Sequence, residues 1–273
     1  MGMVGLFSTI GLALGPAIGG YISTRWNIQV MFQLSAVFAL LSVVILAGGM
    51  RETLENKQGF RLATLKISKS ELFEPLVLAP VIITFLTYMS YGALFTIIPD
   101  FSSYLGIQNK GLFFTFFTAA SIGIRLLAGK VSDKYGRVPI LKISSFTMAI
   151  AVFVLAIAHT PAMMLTAAVI YGISVGLNSP AITAWTIDLG HPQFKGRALA
   201  SMYIAMEAGI GLGAYLSAFI YHNDARFFSL TFYCTAAVTL MASLYLLFIY
   251  HNRRLQVMWR FVYMRVPMRR FLR

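Results

Sequence analysis

Apolar positions in this chain do not alternate and do not recur every third or fourth residue. They fill eight long stretches: Met1–Ser23, Ile28–Met50, Leu76–Ile98, Gly111–Ala128, Val138–Ala158, Ala162–Thr186, Ala198–Tyr221 and Phe227–Tyr250. A bilayer core about 30 Å thick is crossed by about 20 apolar residues wound as a helix. Backbone amides in lipid must bond within their own segment, so each stretch is expected to be a transmembrane helix. Barrel strands would be shorter and would alternate in polarity. The pattern therefore predicts an all-α integral membrane protein with eight transmembrane helices.

Polar positions between the stretches set an orientation. If the first helix runs outward from the cytoplasm, 22 Lys and Arg residues divide with only Arg25, Lys110 and Arg226 on the outer side. Cytoplasmic loops carry the excess of basic residues in membrane proteins. Both ends of the chain are thus expected in the cytoplasm, in a multi-pass protein of the cell membrane. The connector 51–75 mixes basic residues with Glu52, Glu55, Glu71 and Glu74, and with Phe60, Leu62, Leu65 and Ile67. It reads either as an amphipathic segment on the membrane surface or as a plain connector. The tail 251–273 alternates arginines with Trp259, Phe261, Tyr263 and Phe271, as an interfacial anchor does.

Composition agrees: 58% of residues are hydrophobic, 11% are charged, and the mean hydropathy is +0.76. A soluble domain carries about 25% charged residues. The formal charge of +13 would fit a nucleic-acid binder, but the basic residues lie between membrane spans, so no nucleic-acid partner is expected. The single Cys234 sits inside an apolar stretch, where a small buried hydrophobe is expected and no intrachain disulfide can form. No basic residue precedes the first stretch, which is longer than the apolar part of a cleavable leader. His159, His191, His222 and His251 are too dispersed for a metal site. There is no phosphate loop, dinucleotide fingerprint or nucleophile–histidine pairing. No cofactor, no enzymatic activity and no ATP-driven step are expected.

Two stretches share small residues at helical spacing. The first has Gly11, Gly15, Pro16, Gly19 and Gly20; the seventh has Gly209, Gly213 and Ser217. Such stripes let helices approach closely, and their recurrence six helices apart is what a parallel six-helix repeat produces. Between the fourth and fifth stretches runs Gly129-Lys130-Val131-Ser132-Asp133-Lys134-Tyr135-Gly136-Arg137. This resembles the G-x-x-x-D-[RK]-x-G-[RK] loop signature of the major facilitator superfamily. The run from Gly11 to Gly20 resembles the G-x-x-x-G-P-x-x-G-G motif of that family's fifth helix, associated with its drug:proton antiporter branch. Gly196-Arg197 before the seventh stretch is similar to the family's R-G-R-A start. Val138 and Pro139 depart from the basic residues that often follow the signature, and Ala214 stands where Pro16 stands in the first stretch.

The resemblance covers the chain to about Tyr250. It implies that the eight spans correspond to family helices five to twelve, a major facilitator fold lacking its first four helices. The implied parts are residues 1–50, the last two helices of the N-terminal half; 51–75, the central linker; 76–250, the six-helix C-terminal half; and 251–273, a basic tail. It further implies secondary active transport by alternating access, with a small organic substrate exported against protons. Metabolite uptake by symport, or a fragment that works only with a partner, remain the alternatives, and the oligomeric state is not readable.

Several residues are candidates for that work. Glu207 lies alone in the middle of an apolar stretch, and an ionisable residue at that depth is a functional candidate; it is expected to carry the proton. Gly129, Asp133, Lys134, Gly136 and Arg137 are assigned to a gating loop. Arg125 either reaches back to the cytoplasmic interface or forms a gate ion pair, with Asp188 as its partner. Thr84, Tyr88 and Tyr91; Tyr171, Ser174, Asn178 and Trp185; and Tyr203 form polar faces expected to wall a substrate cavity or to bond between helices. Their aromatic character suits an amphiphilic or aromatic substrate. Pro180 is expected to kink its helix.

Overall fold

The computed structural model describes residues 11, 14–16, 18–23, 25–49 and 73–249. The connector 51–72 and the tail 251–273 lie outside the described residues, as do the readings made of them. Helical residues at 14–16, 18–23 and 25 form α1, followed by α2 (Ile28–Gly49). A single 3-10 turn, Pro75–Val77, leads into α3 (Leu78–Tyr104). Then come α4 (Leu112–Tyr135), α5 (Arg137–Ala156), α6 (Pro161–Leu189) and α7 (Lys195–Tyr221). The last is α8 (Phe228–Leu244), which runs on into a π-helical turn at Tyr245–Ile249. Among the described residues there is no strand. Among the described residues six helices are long and apolar enough to cross a membrane, and α4 makes a seventh if its two arms count as one span.

Local chemistry sets the ends. Thr160 caps α6, accepting from the Met163 amide at 3.3 Å, and Pro161 occupies the first turn, where its missing N–H costs nothing. The helix continues through Pro180 to Leu189. At the end of α7 the chain turns through His222 and Asn223, both at positive φ. Asp224 then accepts from the Arg226 amide at 2.9 Å, and the adjoining guanidinium holds its carboxyl below the usual carboxylate range.

Two expectations need correction here. The glycine-bearing signature is not a loop: α4 runs through it to Tyr135, and only Gly136, at φ 89°, breaks the helix before α5. The bend instead lies between Arg125 and Leu127, where the two arms of α4 meet at 51°. Cys234 is exposed on α8 rather than buried. Its apolar surroundings in sequence reflect a face turned outward from the helix bundle, and in a bilayer such a face meets lipid.

The bundle is held by close helix pairs. A Cβ added at Gly209 would press on the Phe85 carbonyl, at Gly213 on the Met89 carbonyl, and at Gly92 on Ile210. Contacts that advance together, from 85 to 89 on one helix and from 209 to 213 on the other, show that α3 and α7 run parallel. In the same way Gly172 lies on the Phe117 carbonyl and Gly176 on Ser121, so α4 and α6 are also parallel. Small residues at these crossings permit backbone-to-backbone approach, the main source of helix affinity in lipid. The seventh stretch thus uses its small stripe against α3.

In α1, Gly20 presses on Asn109 and Gly111, Gly111 in turn on the Pro16 carbonyl, and Gly19 faces the Met31 sulfur. Nothing described stands within 4 Å of a Cβ built at Gly11 or Gly15.

Two apolar clusters fill the bundle. One, with Phe101, Phe113, Met164 and Phe228, occupies the end where α3 meets α4. The other, with Ile83, Leu141, Trp185, Met202 and Leu246, occupies the end where α4 meets α5. A polar belt lies between them: Ser90 Oγ and Tyr171 Oη share a 2.9 Å hydrogen bond, and Asn178 donates to Ser144 Oγ at 3.1 Å. By contrast α2 buries none of its residues.

Candidate functional site

The belt opens into a cavity between α3, α4 and α6. It encloses about 100 Å³, inside about 410 Å³ of empty space that includes its open mouth. Tyr88 and Tyr91 come from α3; Phe117, Thr118, Ser121 and Arg125 from α4; Val175 and Ser179 from α6. A smaller recess beside it adds Thr87, Met148, Tyr171 and Asn178. Spacing explains the wall: Phe117, Ser121 and Arg125 are four residues apart, so one face of α4 presents them together.

The aromatic side chains form a connected set. Tyr91 stacks on Phe95 at 4.4 Å between ring centroids and meets Phe117 edge-on at 6.2 Å; Tyr88 stands 5.8 Å from Tyr91. Arg125 Nη2 donates to Ser179 Oγ at 2.9 Å. Tyr88 lines the cavity beside Ser179 and lies within electrostatic reach of Arg125, Tyr203 and Glu207. Both Tyr203 and Glu207 are exposed on α7.

Of the residues singled out in the sequence, the fold brings Tyr88, Tyr91, Tyr171, Asn178 and Arg125 together here, with Tyr203 and Glu207 at the margin. Thr84, Ser174 and Trp185 are buried away from it. Thr84 donates to the Pro80 carbonyl and Ser174 to the Ile170 carbonyl, both at 2.8 Å, while Trp185 belongs to an apolar cluster. Hydroxyls that bond back to their own helix are common inside membranes, where no water competes, and helical spacing alone does not separate them from cavity residues. Sequence reasoning missed Phe117, Thr118, Ser121 and Ser179. The four-residue spacing of Phe117 and Ser121 with Arg125 was the signal that could have found the α4 face.

Arg125 is not paired with Asp188. That carboxylate accepts from Arg137 Nε at 3.2 Å, and Arg137 also pairs with Asp133 and donates to Ser132 Oγ at 3.2 Å. Gly129, Lys134 and Gly136 stand around this cluster at the junction of α4 and α5, where Lys134 lies over the Tyr135 ring. A second ion pair at the same end is more deeply placed. Arg197, at the start of α7, donates from Nε to Glu74 Oε2 at 2.8 Å. The Glu74 side chain is only 4% exposed and that of Arg197 17%. The Glu74 amide donates to Ser201 Oγ at 2.8 Å, and Arg197 stacks 4.6 Å over Phe194.

Long apolar helices around a polar, aromatic-lined cavity define a multi-pass helical membrane protein. The chain belongs to the Major Facilitator Superfamily, whose family model matches residues 1–108 and residues 80–259. That is a family of transporters, not of enzymes. Among curated proteins it is similar to the Quinolone resistance protein NorA of Staphylococcus aureus, with 23% identity over 170 residues. That match covers 62% of this chain and 43% of NorA. It is likewise similar to Multidrug resistance protein 1 of Bacillus subtilis strain 168. Here the identity is 23% over 162 residues, 59% of this chain and 41% of the relative. The matched part of the chain thus spans less than half the length of these curated relatives.

Proposed function

We propose that this chain forms part of a secondary active transporter of the cell membrane that exports small organic molecules in exchange for protons. The observation that carries the reading is the aromatic cavity between α3, α4 and α6, with the exposed Glu207 of α7 within electrostatic reach of its Tyr88. The names of the relatives, a quinolone resistance protein and a multidrug resistance protein, support export, as does the proline–glycine run of α1. Proton exchange falls to Glu207, an acidic residue set among apolar neighbours on an exposed helix face. The end carrying Arg137, Lys142, Lys195 and Arg197 faces the cytoplasm, as the distribution of basic residues supports.

In this mechanism the six helices α3 to α8 rock as a unit against a second helical body, exposing the cavity to each side in turn. The Asp133–Arg137–Asp188 cluster joins the α4–α5 junction to the end of α6, and so keeps the two moving together. The test is flux of fluorescent aromatic compounds in proteoliposomes under an imposed pH gradient. Gradient-driven movement that Glu207→Gln abolishes, with the protein still folded, is the expected result. Flux indifferent to the gradient, or unchanged gradient dependence in Glu207→Gln, rejects proton coupling.

A further inference from the structure

In the small recess beside the cavity, one polar atom is left unused by the rest of the protein. Asn178 lines this recess from α6 and is only 2% exposed. Its amide nitrogen donates across to α5, to Ser144 Oγ at 3.1 Å and Ser145 Oγ at 3.5 Å. Ser144 gives its own proton to the Leu141 carbonyl at 3.2 Å, so its oxygen is placed to accept and fixes which way round the Asn178 amide stands. The other half of that amide, Asn178 Oδ1, accepts from no group among the described residues. A buried amide oxygen without a donor bears its desolvation uncompensated, and such an atom calls for a partner.

Two neighbours on the recess wall have committed their protons elsewhere. Thr87 donates to the Ile83 carbonyl at 2.8 Å. Ser90 donates to the Thr87 carbonyl at 2.6 Å, which leaves the Tyr171 proton to make the 2.9 Å bond with Ser90. The recess wall carries no charged side chain, and its room is about 10 Å³, enough for about one water-sized group. An ammonium there would want several acceptors and a counter-charge. A single neutral O–H or N–H fits both the size and the chemistry.

The recess shares Tyr88, Tyr91, Val175 and Ser179 with the main cavity. A ligand seated in the cavity can therefore extend a short polar group into it. The cavity side offers ring surface: Tyr91 stacked on Phe95, with Phe117 set edge-on. Ring contacts of that kind add to simple burial for a flat π-system.

We propose that Asn178 is a specificity-determining residue of this site, accepting through Oδ1 from a neutral hydroxyl or N–H carried on an aromatic substrate. Phenols and indoles are the chemical class that satisfies it. The proposal rests on the cavity being the substrate site and adds the group by which a substrate is chosen. Ser144 and Ser145 act as positioning residues, because they hold the amide with its oxygen free.

Two probes of nearly one shape test it: 2-naphthol and 2-methylnaphthalene, each titrated against the full chain in lipid nanodiscs. Asn178→Leu should weaken naphthol about fivefold or more, the size of one hydrogen bond, and leave methylnaphthalene within about twofold. Asn178→Asp, which keeps an acceptor oxygen, should retain naphthol binding. Phe117→Ala should weaken both probes. Naphthol affinity unchanged in Asn178→Leu but reduced in Phe117→Ala overturns the proposal and leaves the cavity as a substrate site. Equal weakening of both probes in Asn178→Leu also overturns it, since that is what a packing role produces. Binding of neither probe, or binding that no variant alters, overturns both. Should Asn178→Leu fail to fold, the unaltered chain decides: naphthol must exceed 2-methoxynaphthalene, which lacks the donor, once each affinity is corrected for partition into protein-free nanodiscs. Equal corrected affinities overturn the proposal.

Discussion

Two glutamates act against the same helix in opposite circumstances. Glu74 is sealed against the first turn of α7, paired with Arg197 and tied through its amide to Ser201. Glu207 lies further along α7 and is exposed, in reach of Tyr88 but in none of the described ion pairs. A carboxylate that is buried and paired is committed to one geometry, and its charge is neutralised where it stands. A carboxylate left on an apolar helix without that commitment can exchange a proton as its surroundings change. The difference separates a residue that fixes α7 from the one to which we assign proton exchange.

Breaking the fixed end should have the largest effect. Removing one member of a buried ion pair strands the other, at a cost of about 3–5 kcal/mol. Glu74→Ala and Arg197→Ala are each expected to lower the thermal unfolding midpoint in detergent sharply, and Glu74→Gln somewhat less. A midpoint unchanged in all three would show that the pair does not hold α7. Next is the crossing itself. Gly213→Val puts a branched side chain on the Met89 carbonyl and should cost about 1–3 kcal/mol by overpacking. Gly211→Ala, where nothing stands within 4 Å, should be neutral in the same assay; equal losses would mean that α7 does not meet α3 along that face. The smallest change is expected at the exposed cluster. Asp188 and Asp133 are more than half exposed, and such pairs contribute about 0–1 kcal/mol. Asp188→Asn should barely move the midpoint.

The same contrast separates what the sequence discloses from what it hides. Glu207 is conspicuous because a lone charge in an apolar stretch calls for either a functional role or a bond to a neighbouring helix. Glu74 is not, because it sits in a connector with five basic residues and three other glutamates, where any one pairing is as plausible as another until α3 and α7 are brought together. Spans were readable from length and hydropathy, since lipid leaves the backbone few alternatives. Their ends were less so: α4 continues through Gly129 of its signature and ends only at Gly136, because glycine permits a turn without compelling one. Tyr88 and Tyr91 were readable as cavity residues from spacing, but Thr84 and Trp185 share the same pattern and fall into packing. Which polar face meets a void depends on how neighbouring helices are rotated, and single-chain periodicity carries no trace of that.

The account turns on Glu207 facing a watery path rather than lipid. With Cys234→Ser removing the native thiol, Glu207→Cys can be probed in membrane vesicles with a charged, membrane-impermeant thiol reagent. Labelling by the charged reagent at this mid-span position is the expected result. Labelling only by a lipid-soluble maleimide, with the charged reagent inert, would contradict it.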